Sequence, residues 1–577
     1  MSTDRETGDT TADPLATEGV APDGVAGEGV VDQPRSLLRA SAAPAVGTAL
    51  SRASGLLRVS ALTAALGLTQ VADTYNLANT TPNILYELVL GGVLSSTLVP
   101  MFIHTSSAEG GRKLRRPVLE VGEEGDDPVS VIVTVGFVAI TALTVLAVLA
   151  SPLINQLFAL PLEGAEREQQ LRLGDDLLAL LLPQILFYGV TTLATALLHA
   201  RRHFAAPAFA PVLTNLVTTV AGLAVWWLVS NGHTGDDSTL TVYLLGLGTT
   251  AGVASMAAAL LPSIRRAGID LRWRFQPRHP AVRKVLRLSG WTVGFAAANQ
   301  VALLVILTLA RGSGEGAVSA YQYAFIFFQL PYGLIAVSIM TAILPDLSEA
   351  ARAHDVIAFR EKFIEGLAVL LTFLLPAAGA YLFLGEPLVE LLLQRGSFTA
   401  EDTRLTARML AGFSIGLPFF ATFLYCVRAF HARRNTRTPF WLNLFENTLN
   451  VALVVPFVAL FDEPGLSLAY SAAYVVAAIG AVLVLNRHVH RTLTLRGLAV
   501  FGRGVLVSLL VVAASATVTL WLRHVVGVGP LLQILVTLAV AVPVFAAGTW
   551  VLRPHGFDDT IQTLVAGLRR RSGRSGS

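Results

Sequence analysis

Fourteen stretches of this 577-residue sequence are apolar over enough length to cross about 30 Å of hydrocarbon at 1.5 Å per residue. They fall near residues 40–68, 75–103, 128–158, 175–199, 208–230, 240–263, 288–310, 317–345, 363–384, 405–427, 439–461, 465–486, 504–522 and 531–552. No water reaches the backbone inside a bilayer, so each stretch must satisfy its own N–H and C=O groups, and an open run of such length does so as a helix. A chain with 53% hydrophobic and 14% charged residues is therefore read as an all-α integral membrane protein of about fourteen spans. Loop charge tests the count, because Lys and Arg accumulate on the cytoplasmic side. Alternate loops carry "RKLRR" (112–116), "RRHF" (201–204), eight Lys or Arg between Arg265 and Arg287, "REK" (360–362), "RAFHARRNTR" (428–437), "RHVHRTLTLR" (487–496) and the tail "RRRSGR" (569–574), whereas the opposite loops, such as "NGHTGDDS" and "DEPG", are poor in them. An even count then puts both termini in the cytoplasm of a plasma (inner) membrane.

Residues 1–36 are rich in Asp, Glu, Gly, Thr and Pro and read as a disordered tail without the basic start and apolar core of a cleaved signal. The loops after spans four and ten share a motif: His199-Ala200-Arg201-Arg202 with Pro207, and His431-Ala432-Arg433-Arg434 with Pro439. An offset of six spans preserves orientation, so the halves read as a parallel pseudo-repeat: an N-lobe (37–286), a C-lobe (287–486), and two appended helices with a basic tail (487–577). The basic residues sit in short interspan clusters, which reads as topogenic and not as nucleic-acid binding. Cys426 is alone, so no intramolecular disulfide or Cys-based metal cluster is available. No "GxxxxGK" phosphate loop, HExxH or spaced His/Cys set is present, which leaves no motif for an ATPase or a metal centre.

Span one carries two charges where charge is expensive, Arg52 and Arg58 in "SRASGLLR" (51–58). With it come "AD" (72–73) before span two, "PN" (82–83) and "VP" (99–100) within it, "FAAPAFAPVLTN" (204–215) entering span five, "FTAED" with Leu410 before span ten, and an Arg-rich loop ending in "TP" before span eleven. In this order the motifs resemble the MurJ/MviN family of bacterial flippases for lipid-linked peptidoglycan precursors, over residues 40–550. The resemblance implies a transporter and not an enzyme, with fourteen helices, no cofactor, and a fold shared with multidrug exporters and polysaccharide flippases. It also implies lipid II, an undecaprenyl pyrophosphate carrying a disaccharide and pentapeptide, as a substrate moved from the inner to the outer leaflet by alternating access, with membrane lipids and cell-wall synthesis proteins as partners.

Its cationic cavity maps onto Arg52, Arg58 and Asp73. Arginine offers a fork of donors suited to phosphate oxygens. The alternative for Arg58 is snorkelling to the interface, with Asp73 as its partner. Spans one, two, seven and eight are expected to line the cavity, with Leu56 and Leu57 turned away from it. Three features depart from the family pattern: Tyr86 and Ile326 stand where cations are usual, and Gly91-Gly92 replaces an acidic-glycine pair. They leave open a related polyprenyl-linked glycan, a cation-coupled exporter of amphiphiles, or a non-transporting scaffold for envelope assembly. Glu87 either pairs with a span-one arginine or reaches the interface. Glu446 and Asn450, four apart on span eleven, share a face and form either an ion or proton site, coupling transport to sodium, protons or membrane potential, or a hydrogen-bonded pair between helices. The aromatic run "YQYAFIFF" (321–328) reads as packing or lipid-facing surface.

Overall fold

The computed structural model describes residues 33–88, 127–235, 237–489 and 495–553. The tail before residue 33, the Gly91-Gly92 pair, the 112–116 cluster and the basic C-terminal tail lie outside them. Every regular element described is a helix. The elements are α1 (Gln33–Leu66), α2 (Gln70–Tyr86), α3 (Pro128–Leu149), α4 (Ser151–Phe158), α5 (Gly164–Leu181), α6 (Gln184–Ala200), α7 (Ala205–Ser230), α8 (Thr239–Arg266), α9 (Pro280–Arg311), α10 (Ala317–Pro331), α11 (Val337–Arg352), α12 (Val356–Leu393), α13 (Ala400–Ala432), α14 (Arg437–Phe461), α15 (Gly465–His488), α16 (Leu495–Trp521) and α17 (Pro530–Leu552). Among the described residues twelve helices are long and apolar enough to cross a membrane. The first two expected spans are not among the twelve, and the second runs partly outside the described residues.

Local chemistry sets where the helices start and break. Thr399 and Asp402 form a reciprocal capping box that starts α13, with Asp402 N–H donating to Thr399 Oγ1 and Thr399 N–H to Asp402 Oδ2 (3.2 and 2.8 Å). Proline interrupts several spans: the expected span 128–158 breaks into α3 and α4 before Pro152, and that at 175–199 is interrupted at Leu182–Pro183. Pro331 ends α10 and is followed by a π-helical turn, Tyr332–Ala336. A proline ring displaces the bond to the carbonyl four residues earlier; here that carbonyl, of Phe327, accepts instead from the Tyr381 hydroxyl of α12 (2.6 Å).

The two halves repeat each other in detail. α6 and α13 both end in the HARR motif, their caps Arg201 and Arg433 share φ −89°, ψ 11° and φ −88°, ψ 11°, and the following Arg202 and Arg434 are left-handed at φ 60° and 57°. In both, a back-bond closes the turn: His203 N–H to Leu198 O (2.8 Å) and Asn435 N–H to Phe430 O (3.0 Å). Helix packing follows the same six-span offset, since α1 packs on α7 as α9 packs on α14, and α7 on α8 as α14 on α15. One core cluster, with Leu62, Tyr75, Leu177, Ile185 and Val242, fills the first half. A larger aromatic one fills the second, where Tyr321, Phe328, Phe413, Phe420 and Tyr474 meet at ring separations of 5.0–5.4 Å. The run 321–328 is therefore core: Tyr321, Tyr323, Phe327 and Phe328 are all buried. The boundary at 286/287 falls inside α9, whose first turns (Ala281, Val285) belong to the N-lobe core.

Candidate functional site between the lobes

The lobes meet along a seam at the end of the bundle that carries the loop 67–69. Asp73, in the first turn of α2, is fully buried and reaches across to the start of α10. It accepts from Gly316 N–H (2.9 Å), Ser319 N–H (2.9 Å) and the Ser319 hydroxyl (2.7 Å). These are the donors a helix N-terminus leaves unpaired, so a carboxylate of one lobe caps a helix of the other. Arg311, at the end of α9, lies 3.9 Å from Asp73 and donates its Nε–H to Gln170 (3.1 Å). Its side chain is also buried, and its Nη2 has no hydrogen-bond partner. The carboxylate's ionic partner is thus Arg311 and not Arg58.

The seam continues with the Asn76 amide donating to Ser319 and Tyr323 (2.9 and 3.1 Å), Thr80 to Gln322 (3.0 Å), Ser60 to Leu392 O (2.8 Å) and Ser397 N–H to Ala64 O (2.9 Å). Two left-handed glycines permit this closeness. A Cβ on Gly396 (φ 60°) would lie 2.3 Å from Ala64 O, and one on Gly316 (φ 78°) 2.5 Å from Leu68 Cβ.

Moving along α1 away from the seam, the chemistry changes. Arg58 is half-buried and lies within electrostatic reach of the Tyr75, Tyr188 and Tyr323 hydroxyls, which come from α2, α6 and α10. Arg52, six residues and about 9 Å further along the helix, is exposed. Its Nη2 is 3.6 Å from where a Cβ on Gly333 would sit, in the π-helical turn of the other lobe. Neither guanidinium has a carboxylate partner among the described residues. Leu57 points out, 53% exposed, and Leu56 packs on the C-lobe core.

Glu87, half-buried just beyond α2, forms no ion pair with either arginine. Tyr86 donates to or accepts from Thr192 inside its own lobe, and Ile326 packs on the aromatic core.

Within the C-lobe, Glu446 and Asn450 of α14 are buried at 1% and 2% exposure. Both Glu446 oxygens and Asn450 Oδ1 lack a hydrogen bond; the Tyr474 hydroxyl faces the carboxylate without reaching bonding geometry. The neighbouring Asn447 is instead satisfied, donating to Asn299 Oδ1 (2.8 Å) and to Asn443 O (2.9 Å). No group of three or more His, Cys, Asp or Glu that could hold a metal is formed among the described residues.

The sequence matches a known family. The sequence model of that family, lipid II flippase MurJ, matches residues 62–540. The chain belongs to this family. A relative named "Probable lipid II flippase MurJ" from Rhizobium meliloti (strain 1021) is 29% identical over 463 residues, 80% of this chain and 83% of that one. A second of the same name, from Rhizobium tropici, is 28% identical over 443 residues, 76% and 79% of the two chains. Among solved structures, "Lipid II flippase MurJ, inward closed conformation" aligns at a TM-score of 0.69 and 24% identity, covering 88% of this chain and 99% of the other, which establishes the fold. The fold is that of an all-helical membrane transporter, and the family is one of flippases.

Arg311 and Ser319 have no place in the sequence reading. Arg311 nevertheless leaves a trace there: it is an arginine at the end of a span whose following loop, "GSGEG", is otherwise free of Lys and Arg.

Proposed function

We propose that this protein carries lipid II from the inner to the outer leaflet by alternating access, holding the pyrophosphate with Arg52 and Arg58 while the prenyl tail stays in lipid. The observation that carries the reading is the pair of guanidinium groups of α1, Arg52 and Arg58, that no carboxylate among the described residues neutralises. Intramembrane charge left unpaired by protein is retained for a ligand or a pathway, and a diphosphate supplies the missing charge with bidentate geometry. Loop charge supports cytoplasmic termini, which puts the seam on the outer side. The lobes then close outward through Asp73 and receive substrate from within.

Glu446 and Asn450 support ion or proton coupling. An ionised carboxylate without donors is costly to bury, and a proton or a sodium ion bound between Glu446, Asn450 and Tyr474 removes that cost.

The test is lipid II translocation in proteoliposomes. Losing a charge-assisted contact of about 1.5–3 kcal/mol in a state formed only during transport slows Arg52→Ala about 10- to 100-fold. Arg52→Lys is impaired less, and Arg58→Ala less than Arg52→Ala. Wild-type rates in well-expressed Arg52→Ala would overturn the assignment and favour the exporter or scaffold readings.

A further inference from the structure

The connection from α8 to α9 holds eight Lys or Arg between Arg265 and Arg287 against one acid, Asp270, and the structure gives it a fixed course. Ile269 near its start and Val282 just past its end pack on the N-lobe core. Between them the chain runs beside the start of α3: Arg272 N–H donates to the Ser130 hydroxyl (3.0 Å) and Arg274 N–H to the Thr134 hydroxyl (3.2 Å). Two residues of the connection thus match four residues of helix, about 6–7 Å in each case, which is the rise of an extended chain. The segment is a strap, held at both ends by packing and in the middle by its backbone.

Side chains alternate along an extended chain, so "LRWRFQ" (271–276) sets Leu271, Trp273 and Phe275 on one edge and Arg272 and Arg274 on the other. The three apolar side chains are 42%, 68% and 52% exposed, although Trp273 meets the Phe137 ring of α3 edge-on at 6.2 Å. Arg272 and Arg278 are exposed as well, and neither has a carboxylate partner among the described residues. Water penalises a row of exposed apolar side chains, and hydrocarbon penalises the guanidinium groups between them. The headgroup layer of a bilayer accepts both, which is why Trp and Tyr gather there, and α3 beside the strap is one of the twelve helices able to span. Basic clusters next to a spanning helix draw anionic lipid by charge.

We infer that the strap 269–279 is a docking surface for anionic glycerophospholipids, with Arg272 and Arg278 engaging headgroup phosphates and Trp273 seated against the adjoining acyl chains. This surface lies apart from Arg52 and Arg58, and the inference does not depend on what those arginines carry.

Purified full-length protein is placed in nanodiscs of equal phosphatidylglycerol and phosphatidylcholine, with acyl-chain bromine on one lipid or on the other, so that composition is constant and only the quencher moves. The fluorescence difference between wild type and Trp273→Phe isolates the signal of Trp273. Each arginine near an anionic surface contributes about a fivefold preference, so brominated phosphatidylglycerol is expected to quench that signal at least about twofold more than brominated phosphatidylcholine. The double variant Arg272→Gln/Arg278→Gln, made with and without Trp273→Phe, is expected to equalise the two. Arg404→Gln, which removes an exposed charge near the start of α13, is expected to behave as wild type. Arg272 and Arg278 are exposed, and Arg272 is tied to α3 through its backbone N–H, so the double variant should keep the wild-type elution profile and unfolding temperature. Equal quenching by both lipids in wild type would overturn the inference, and so would a preference that survives in the double variant. Absence of quenching by either lipid would also overturn it, by placing the strap off the bilayer with a soluble partner as its occupant.

Discussion

The two ends of the cleft between the lobes are made from the same kinds of side chain used in opposite ways. At the seam, buried charge is answered within the protein: Asp73 meets Arg311, two backbone amides and a hydroxyl, all from the other lobe. Toward the far end, Arg58 and Arg52 have no carboxylate partner among the described residues. A closure must satisfy its own polar groups to hold; a binding surface must leave them unsatisfied until a ligand arrives. The contrast separates residues expected to govern conformation from those expected to govern affinity.

The largest expected effect breaks the seam. Asp73→Ala strands Arg311 and uncaps α10, at a cost of about 3–5 kcal/mol to the closed state for a buried pair losing one partner. Spin labels at Glu163 and Glu401, on exposed turns flanking the seam, should report a longer interlobe distance. An unchanged distance would show that the seam does not depend on this carboxylate.

Gly396→Ala acts through the backbone. A left-handed alanine costs roughly 1–2 kcal/mol, and the clash with Ala64 O adds to it. The same label pair should shift in the same direction by less, without loss of polyprenyl-diphosphate binding. A loss of binding instead would mean that seam and binding surface are not separable.

Glu446→Gln sharpens the contrast between two buried acids. Removing a carboxylate that has no hydrogen bond should leave thermal stability unchanged or raise it by about 1 kcal/mol, the opposite of Asp73→Ala, while transport loses its dependence on the sodium or proton gradient. A large stability loss would point to a structural partner for Glu446.

Smallest is Tyr86→Phe. It removes one hydrogen bond, to Thr192, within a single lobe, for about 1 kcal/mol or less of unfolding free energy. Transport should stay within about twofold of wild type, as for a position that has left the cationic surface.

Much of this was legible in the sequence. The apolar windows and the HARR repeat depend on local composition, so they located the helices and the two halves, down to matching left-handed arginines at 202 and 434. Arg52 and Arg58 were visible because charge inside an apolar run is conspicuous. The Arg311 partnership of Asp73 was not, since the two are 238 residues apart and only the packing of α2 on α9 and α10 brings them together.

The seam also has a consequence for how fast the molecule can work at different temperatures. Under the alternating access proposed above, several short hydrogen bonds and one ion pair must part before the seam opens, and each group then finds water. The equilibrium between the two states can therefore be nearly balanced while the path between them passes through many broken bonds at once. A balanced equilibrium across a high enthalpic barrier gives turnover that falls steeply on cooling. The seam that holds the two lobes together would then make the proposed carrier slow in the cold.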